Sequence, residues 1–332
     1  MGMHTGRGIV ALTGATGFLG SHIADALLAG GWSVRASVRP TSSLRWLAGK
    51  PVQTLVVDLT DPRDCARLLA GTAGLIHCAG VVAALDEAGF RHGNVATTAA
   101  LLEAAAATWT EPLPDPAPAF VLVSSLAAHG PAPLERPAVE TDPSAPVTAY
   151  GRSKREAERL VATAPGLFRR AVLRPPSLYG PRDRDFLPLL RLAHRGWTLR
   201  LGRRLGGMSL VDGRDAAAAA VALLATPAAE GVFFVDDGQR GYDFPALARA
   251  LGEAVGRPVR LATVPLGPLR LWARLLPGAS PLLTPDRIRD LEQAGWVCDG
   301  SRLAAVTGFA AQRRATRGFA ETMAFNREAG WQ

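Results

Sequence analysis

The chain has 332 residues, 48% of them hydrophobic and 20% charged, a balance that suits one large globular domain or two that share a core. Cys65, Cys78 and Cys298 are odd in number and far apart, which excludes a disulfide scaffold and a CxxC metal or redox site; no apolar run nears the roughly 18 residues of a membrane span. The net charge is +8, but the arginines are scattered in ones and twos and aromatics make up only 6%, which speaks against a nucleic-acid interface and leaves room for a local anion site such as a cofactor phosphate.

MGMHTGRG at the N-terminus has no apolar signal core, so a reducing cytoplasm is the expected compartment. Residues 8–12 (GIVAL) predict a first strand that runs into a glycine turn. Leu19, Ile23, Leu27 and Leu28 recur at helical spacing, and Gly30–Gly31 ends that helix. Strands follow at 33–38, 53–57 and 74–79, with a short helix near 62–70 between the last two. An alanine-rich helix over 94–107 leads to a proline-rich loop at 111–118, a strand at 119–123, a helix at 150–164 and a strand at 170–174. This alternation predicts an α/β fold with a doubly wound parallel sheet. After Pro176 the rhythm breaks, with helices expected near 214–225, 244–255 and 285–293. We therefore expect a sheet domain over 1–175 and a smaller substrate-binding lobe over 176–332, with a strand and helix at about 205–228 returning to the main sheet.

Residues 13–20 read TGATGFLG, with Gly14, Gly17 and Gly20 spaced GxxGxxG between the first strand and first helix. Glycines there permit a tight turn and close approach of a pyrophosphate to a helix N-terminus. An NAD site usually carries an acidic residue at the end of the second strand. This chain has none between Asp25 and Asp58 and offers Val38-Arg39-Pro40-Thr41-Ser42 instead. Arg39, with hydroxyl help from Ser42 or Thr41, suits the 2′-phosphate of NADP(H), so NAD(H) is the less favoured cofactor. Arg35 is a second candidate for that phosphate. Asp58 and Leu59 follow the third strand, where Asp58 either accepts from the adenine amino group or caps a helix; Asp61 is the rival cap.

Tyr150-Gly151-Arg152-Ser153-Lys154 places a tyrosine and a lysine one turn apart on a helix face. A lysine ammonium and a nicotinium beside a phenol are expected to lower its pKa and make it a usable proton donor and acceptor. Ser124 and Ser125 end the strand at 119–123; a hydroxyl there polarises a carbonyl, or merely caps a turn.

With these motifs together, the chain resembles an extended short-chain dehydrogenase/reductase, the superfamily of sugar-nucleotide epimerases/dehydratases, 3β-hydroxysteroid dehydrogenases and dihydroflavonol reductases. The resemblance runs through TGATGFLG, DLTD at 58–61, HCAG at 77–80, NVATT at 94–98, VSSLAAHG at 123–130, YGRSK at 150–154, LRPPSLYGPRD at 173–183 and LVDGRDAA at 210–217. It implies a Rossmann domain with a C-terminal lobe, often a homodimer built on the helices of Asn94 and Tyr150. It implies Ser125, five residues before Gly130, as the catalytic hydroxyl beside Tyr150 and Lys154. Around the cofactor it implies Thr13, Gly14, Thr16, Gly17, Phe18, Leu19 and Gly20. Arg39, Ser42, Asp58, Leu59, Cys78, Ala79, Gly80, Tyr150, Lys154, Pro175 and Ser177 complete that set, with Arg174 in the same segment and Asn94 near the active site. Val81, Ser125, Leu126, His129, Pro176 and Phe186 are the expected substrate contacts, His129 otherwise being a surface loop residue. No metal site is expected.

Two departures bear on function. Ser177 replaces the asparagine that many sugar-nucleotide enzymes carry after the arginine of LRPPSLYGP, and Leu126-Ala127 replace the Asp-Glu that dehydratases place beside the hydroxyl. The first looks like the 3β-hydroxysteroid dehydrogenase and flavonol-reductase side and the second disfavours dehydration; with Arg39 they favour an NADP(H)-dependent oxidoreductase that interconverts a ketone and a secondary alcohol. A sugar-nucleotide epimerase and a non-catalytic NADP sensor or scaffold are the alternatives. Trp197, Trp272, Trp296, Phe186 and Phe244 line an apolar pocket or simply pack the lobe, and Asp212, Arg214 and Asp215 are expected to form an internal ion pair.

Overall fold

A computed structural model describes residues 7–111, 115–268 and 285–331; Trp272 and part of the proline-rich loop lie outside them. The first half runs β1 (Ile9–Thr13), α1 (Phe18–Ala29), β2 (Ser33–Val38), β3 (Val52–Val56), α2 (Pro62–Leu69), β4 (Gly74–His77), α3 (Glu87–Phe90), α4 (Thr97–Thr108), β5 (Ala119–Val123), α5 (Ala149–Thr163) and β6 (Arg169–Arg174). The second half adds β7 (Ser177–Tyr179), α6 (Leu187–His194), β8 (Trp197–Leu201), β9 (Gly207–Met208), β10 (Leu210–Asp212), α7 (Gly213–Ala225), β11 (Gly231–Phe234), β12 (Tyr242–Asp243), α8 (Phe244–Val255) and β13 (Arg260–Val264). Helices at Pro285–Leu291, Ser301–Thr307 and Ala315–Glu328 follow.

Seven strands form one parallel sheet in the order β11-β6-β5-β4-β1-β2-β3. Strand residues alternate between two apolar layers, as the two-residue period of a pleat requires. Val121 and Val123 face α1 and α7, while Phe120 and Leu122 face α2, α4 and α5. Four fully buried alanines of α7, at 216, 217, 219 and 220, let that helix lie close to Leu19, Ile23 and Leu27 of α1. The strand order reverses at β1, which has β2 on one side and β4 on the other. Sheets of this kind bind ligands in the crevice beyond the strand ends at that reversal.

Two expectations change. The strand that rejoins the main sheet is β11, beyond the 205–228 span expected for it; β10, inside that span, pairs only with β7. The alanine-rich helix starts as a π-helical turn at Arg91–Ala96, which contains Asn94. Such turns are rare and concentrate at functional sites.

The lobe has its own core, in which Tyr179, Leu190, Phe244, Leu247, Leu251 and Phe319 pack together. Arg214 pairs with Asp212 through Nε and Nη2, at 2.8 and 2.7 Å, whereas Asp215 pairs with Arg313 at 2.9 Å, so the expected cluster divides between two arginines.

Arg174, at the end of β6, is 1% exposed. It grips Glu158 of α5 through Nε and Nη2, at 2.8 and 2.7 Å. Ser124 at the end of β5 donates to the same carboxylate at 2.6 Å. Removing one partner of a buried pair strands the other charge. Glu158→Ala is therefore expected to cost roughly 3–5 kcal/mol in urea unfolding; a loss below ~1 kcal/mol would show that the pair fastens nothing.

Candidate active site

The glycine turn lies at the reversal point. Gly14 has φ +73°, and a Cβ on it would stand 2.7 Å from the Ala79 backbone nitrogen. At Gly20 a Cβ would collide with the Gly14 carbonyl. Thr13 joins β1 to β4: its Oγ1 lies 2.7 Å from His77 Nδ1 and accepts the Ala79 N–H at 3.0 Å. Burial holds the His77 imidazole neutral, with its pKa lowered to about 3.

Gly17 is different. Its φ is −81°, and a Cβ there would make only an ordinary 3.4 Å contact with the Gly14 carbonyl. The protein itself does not require a glycine at this position. Gly17 is exposed and is the N-cap of α1, which has no side-chain cap and no acidic residue in its first turn. A cradle that a Cβ would fill, at a positive helix end, fits a dinucleotide pyrophosphate. Thr16, Phe18 and Leu19 complete the turn.

At the end of β2 the Arg39 side chain is exposed, and its guanidinium has no partner among the described residues. Its N–H donates to Ser42 Oγ at 3.0 Å, which holds the serine hydroxyl beside it. Arg35 is committed elsewhere, to Gln53 and to the Leu68 and Ala70 carbonyls. Asp61, not Asp58, caps α2, accepting from Arg63 N–H at 2.9 Å. Asp58 stays exposed, and hydrogen bonds from Thr60 hold its carboxyl below the usual range. Leu59 packs against the core layer of α2.

Ser125 is the N-cap of a short 3-10 turn, Leu126–Ala128, and its Oγ accepts from Ala127 N–H at 3.1 Å. The same hydroxyl is close enough to the Tyr150 phenol to favour its ionised form. Ser124 is occupied by Glu158, so the two serines divide their roles by partner. Lys154 is 5% exposed and donates to the Val123 carbonyl at 2.7 Å. Burial lowers its pKa to about 8. The protein's own groups do not supply the expected lowering of the tyrosine. Burial pushes Tyr150 up to about 12, the Ser125 hydroxyl opposes that, and Lys154 is not among the groups that move it. Burial likewise pushes the Cys78 thiol up to about 12, which keeps it protonated and a poor nucleophile. Ala79 and Gly80 follow; a Cβ on Gly80 would lie 3.6 Å from Lys154 Nζ.

The substrate side is more mixed. Val81 is clasped by Asn94, whose Oδ1 accepts the Val81 N–H at 2.8 Å and whose Nδ2 donates to its carbonyl at 3.0 Å. Leu126 is buried and donates its N–H to the Pro175 carbonyl at 2.9 Å. Pro176 and Ser177 are half-buried beside it. His129 is not on the surface: it is 6% exposed, its ring edge-on to Phe234 at 5.6 Å. Phe186 stacks on Phe319 in the lobe core, Phe244 is buried there, Trp296 anchors its Nε1 on the Asp290 carbonyl, and Trp197 is exposed. Phe186, Phe244 and Trp296 therefore pack the lobe core, whereas Trp197 lies on its surface. Arg174, expected beside the cofactor, is turned to Glu158 instead. Sequence reasoning missed Glu158, although it stands four residues after Lys154 on the same helix face.

A parallel sheet with a glycine turn at its reversal point, and with serine, tyrosine and lysine gathered beyond β5, defines a nicotinamide-dependent enzyme of the extended short-chain dehydrogenase/reductase class. The chain belongs to the NAD-dependent epimerase/dehydratase family, whose profile matches residues 10–235. It is 32% identical to a ceramide reductase of Caulobacter vibrioides, over 98% of this chain and 96% of the relative. It is 31% identical to a ketoreductase of Stigmatella aurantiaca whose substrate is a farnesylated dihydroquinoline oxide, over 54% of this chain and 53% of the relative. MoeE5, solved with UDP-glucose and NAD, shares the fold with a TM-score of 0.74 at 22% identity, over 97% of this chain and 99% of that one.

The Gly17 geometry is directly testable. Gly17→Ala is expected to keep the melting temperature within about 2 °C while weakening dinucleotide affinity at least about tenfold, by calorimetric titration. Unchanged affinity would show that no phosphate approaches this backbone.

Proposed function

We propose that this protein is an NADP(H)-dependent oxidoreductase that reduces a ketone to a secondary alcohol, or runs the reverse. The observation that carries the reading is the placement of Ser125 at the end of β5, with Tyr150 and Lys154 one helical turn apart on α5 and Lys154 bonded to the Val123 carbonyl. When bound, NADPH supplies the two electrons and the hydrogen that reach the carbonyl carbon. Gly14, Gly17 and Gly20 would hold its pyrophosphate, with Arg39 and Ser42 on the 2′-phosphate and Lys154 on the ribose. Asp58 would take the adenine amino group.

Tyr150, with a pKa near 12, keeps its proton at neutral pH and so acts as the acid in the reductive direction. Its O–H bond breaks as the alcohol O–H bond forms, and the phenolate recovers a proton from solvent. Ser125 orients the carbonyl oxygen toward the phenol. Leu126 and Ala127 offer no carboxylate with which to expel water, so dehydration lacks its base.

Epimerase chemistry is the second reading, favoured by the family name and by sugar-nucleotide enzymes of the same fold. The full-length likeness to a ceramide reductase supports reduction over it. A ceramide and a farnesylated quinoline are both amphiphiles, which puts lipid-like ketones first among substrates to try. A homodimer through α4 and α5 belongs to the same proposal.

Tyr150→Phe is expected to bind NADPH like the wild type yet lose about 10²–10⁴-fold in ketone-dependent NADPH oxidation. Equal turnover in the two proteins would end the acid–base assignment. Arg39→Ala should weaken NADPH about tenfold or more and leave NADH unchanged, since a charged hydrogen bond to phosphate is worth about 1.5–3 kcal/mol. Wild-type protein that binds NADH more tightly than NADPH would contradict the cofactor assignment. The pH profile follows from Lys154: its ammonium is present below about pH 8 and lost above, so kcat/KM for reduction should fall as pH rises through about 8. A rate that keeps climbing to pH 10 would exclude a role for that charge.

A further inference from the structure

Between Gly80 and α3 the chain reads Val81-Val82-Ala83-Ala84-Leu85-Asp86, five apolar residues in a row. Both ends of this segment are fastened to the site. Val81 is held through its N–H and its carbonyl by Asn94, whose Nδ2 also donates to Ser153 at 2.9 Å. At the far end Asp86 caps α3 through Gly89 N–H at 2.8 Å. Glu87 is bonded to Arg152 at 3.0 Å, two residues past Tyr150. The Phe90 ring lies 6.1 Å from the Tyr150 ring. Between those anchors, Val82 is 72% exposed and Leu85 is fully exposed.

A single exposed leucine needs no explanation. Two large aliphatic side chains three residues apart, on a strip tied at both ends to the elements that hold the catalytic tyrosine, form an apolar lip. Two side chains are far too small to be the core of a protein interface, which takes about 800 Å² from each partner. Residues 81–90 carry no lysine or arginine to draw them to an anionic bilayer. What remains is an apolar ligand brought there by the site itself. We propose that Val82 and Leu85 bind the alkyl chain of the substrate, so that the enzyme takes amphiphilic ketones with the chain laid along this lip. The proposal rests on the ketone-reductase reading for its chemistry, but not for its binding surface.

Two measurements separate the two. The first needs no turnover: fluorescence titration of the cofactor-free protein with a dansyl-labelled undecyl amide. Wild type is expected to bind it, and Val82→Asn/Leu85→Asn to bind it about tenfold more weakly at an unchanged melting temperature. Equal binding overturns the lip. The second is NADPH oxidation with methyl ketones from butanone to 2-undecanone. The wild-type ratio of kcat/KM for 2-undecanone over butanone should exceed one, and the double variant should lower it about tenfold. Ketones reduced with no chain-length dependence overturn the lip and leave the reductase reading standing. Probe binding that splits the two proteins, with no ketone reduced by either, upholds the lip and removes the reductase reading.

Discussion

Glu158 is the group on which the site depends. Its carboxylate is buried where α5, β5 and β6 meet, and it receives Arg174 from β6, Ser124 from β5 and Arg155 from its own helix. A buried carboxylate is costly unless its oxygens are filled, and here three donors from three elements fill them. The consequence is positional. With Ser124 drawn to Glu158, Ser125 is the serine left to meet Tyr150, and Lys154 stands one turn before the anchor.

The proton chemistry of the site is set by burial more than by mutual attraction. Lys154 gives a hydrogen bond to the Val123 carbonyl and is lowered toward neutrality, while Tyr150 is raised and keeps its proton. A phenol poised as an acid suits delivery of a proton to a carbonyl oxygen. The cofactor side is organised by backbone. Gly14 and Gly20 are glycines because the protein crowds them, whereas Gly17 is crowded by nothing in the chain.

The sheet was largely legible in the sequence. Short apolar runs and glycine punctuation mark β1 to β6 within a residue or two, because a strand covered on both faces must be apolar along its length. The places of the TGATGFLG turn, Ser125, Tyr150 and Lys154 in the fold were legible too, since each depends on residue type at a fixed local spacing. The lobe was less so. Its ladders are two to five residues long, and such short elements are chosen by tertiary packing, not by local preference. His129 shows the same limit: nothing in LAAHG reveals that Phe234, more than a hundred residues later, covers its ring.

By itself, then, the sequence determined the doubly wound sheet, the glycine turn after β1 and the i, i+4 placement of Tyr150 and Lys154 on one helix. Those features rest on local geometry, such as a helical turn or a glycine at positive φ. Only the tertiary structure decided which serine faces the tyrosine, which arginine is spent on Glu158 and which remains free at the cofactor end. It also decided that Val82 and Leu85 stand open at the lip. Each of these is a contest for partners between residues far apart in the chain, and such contests are settled by what folding brings within a few ångströms.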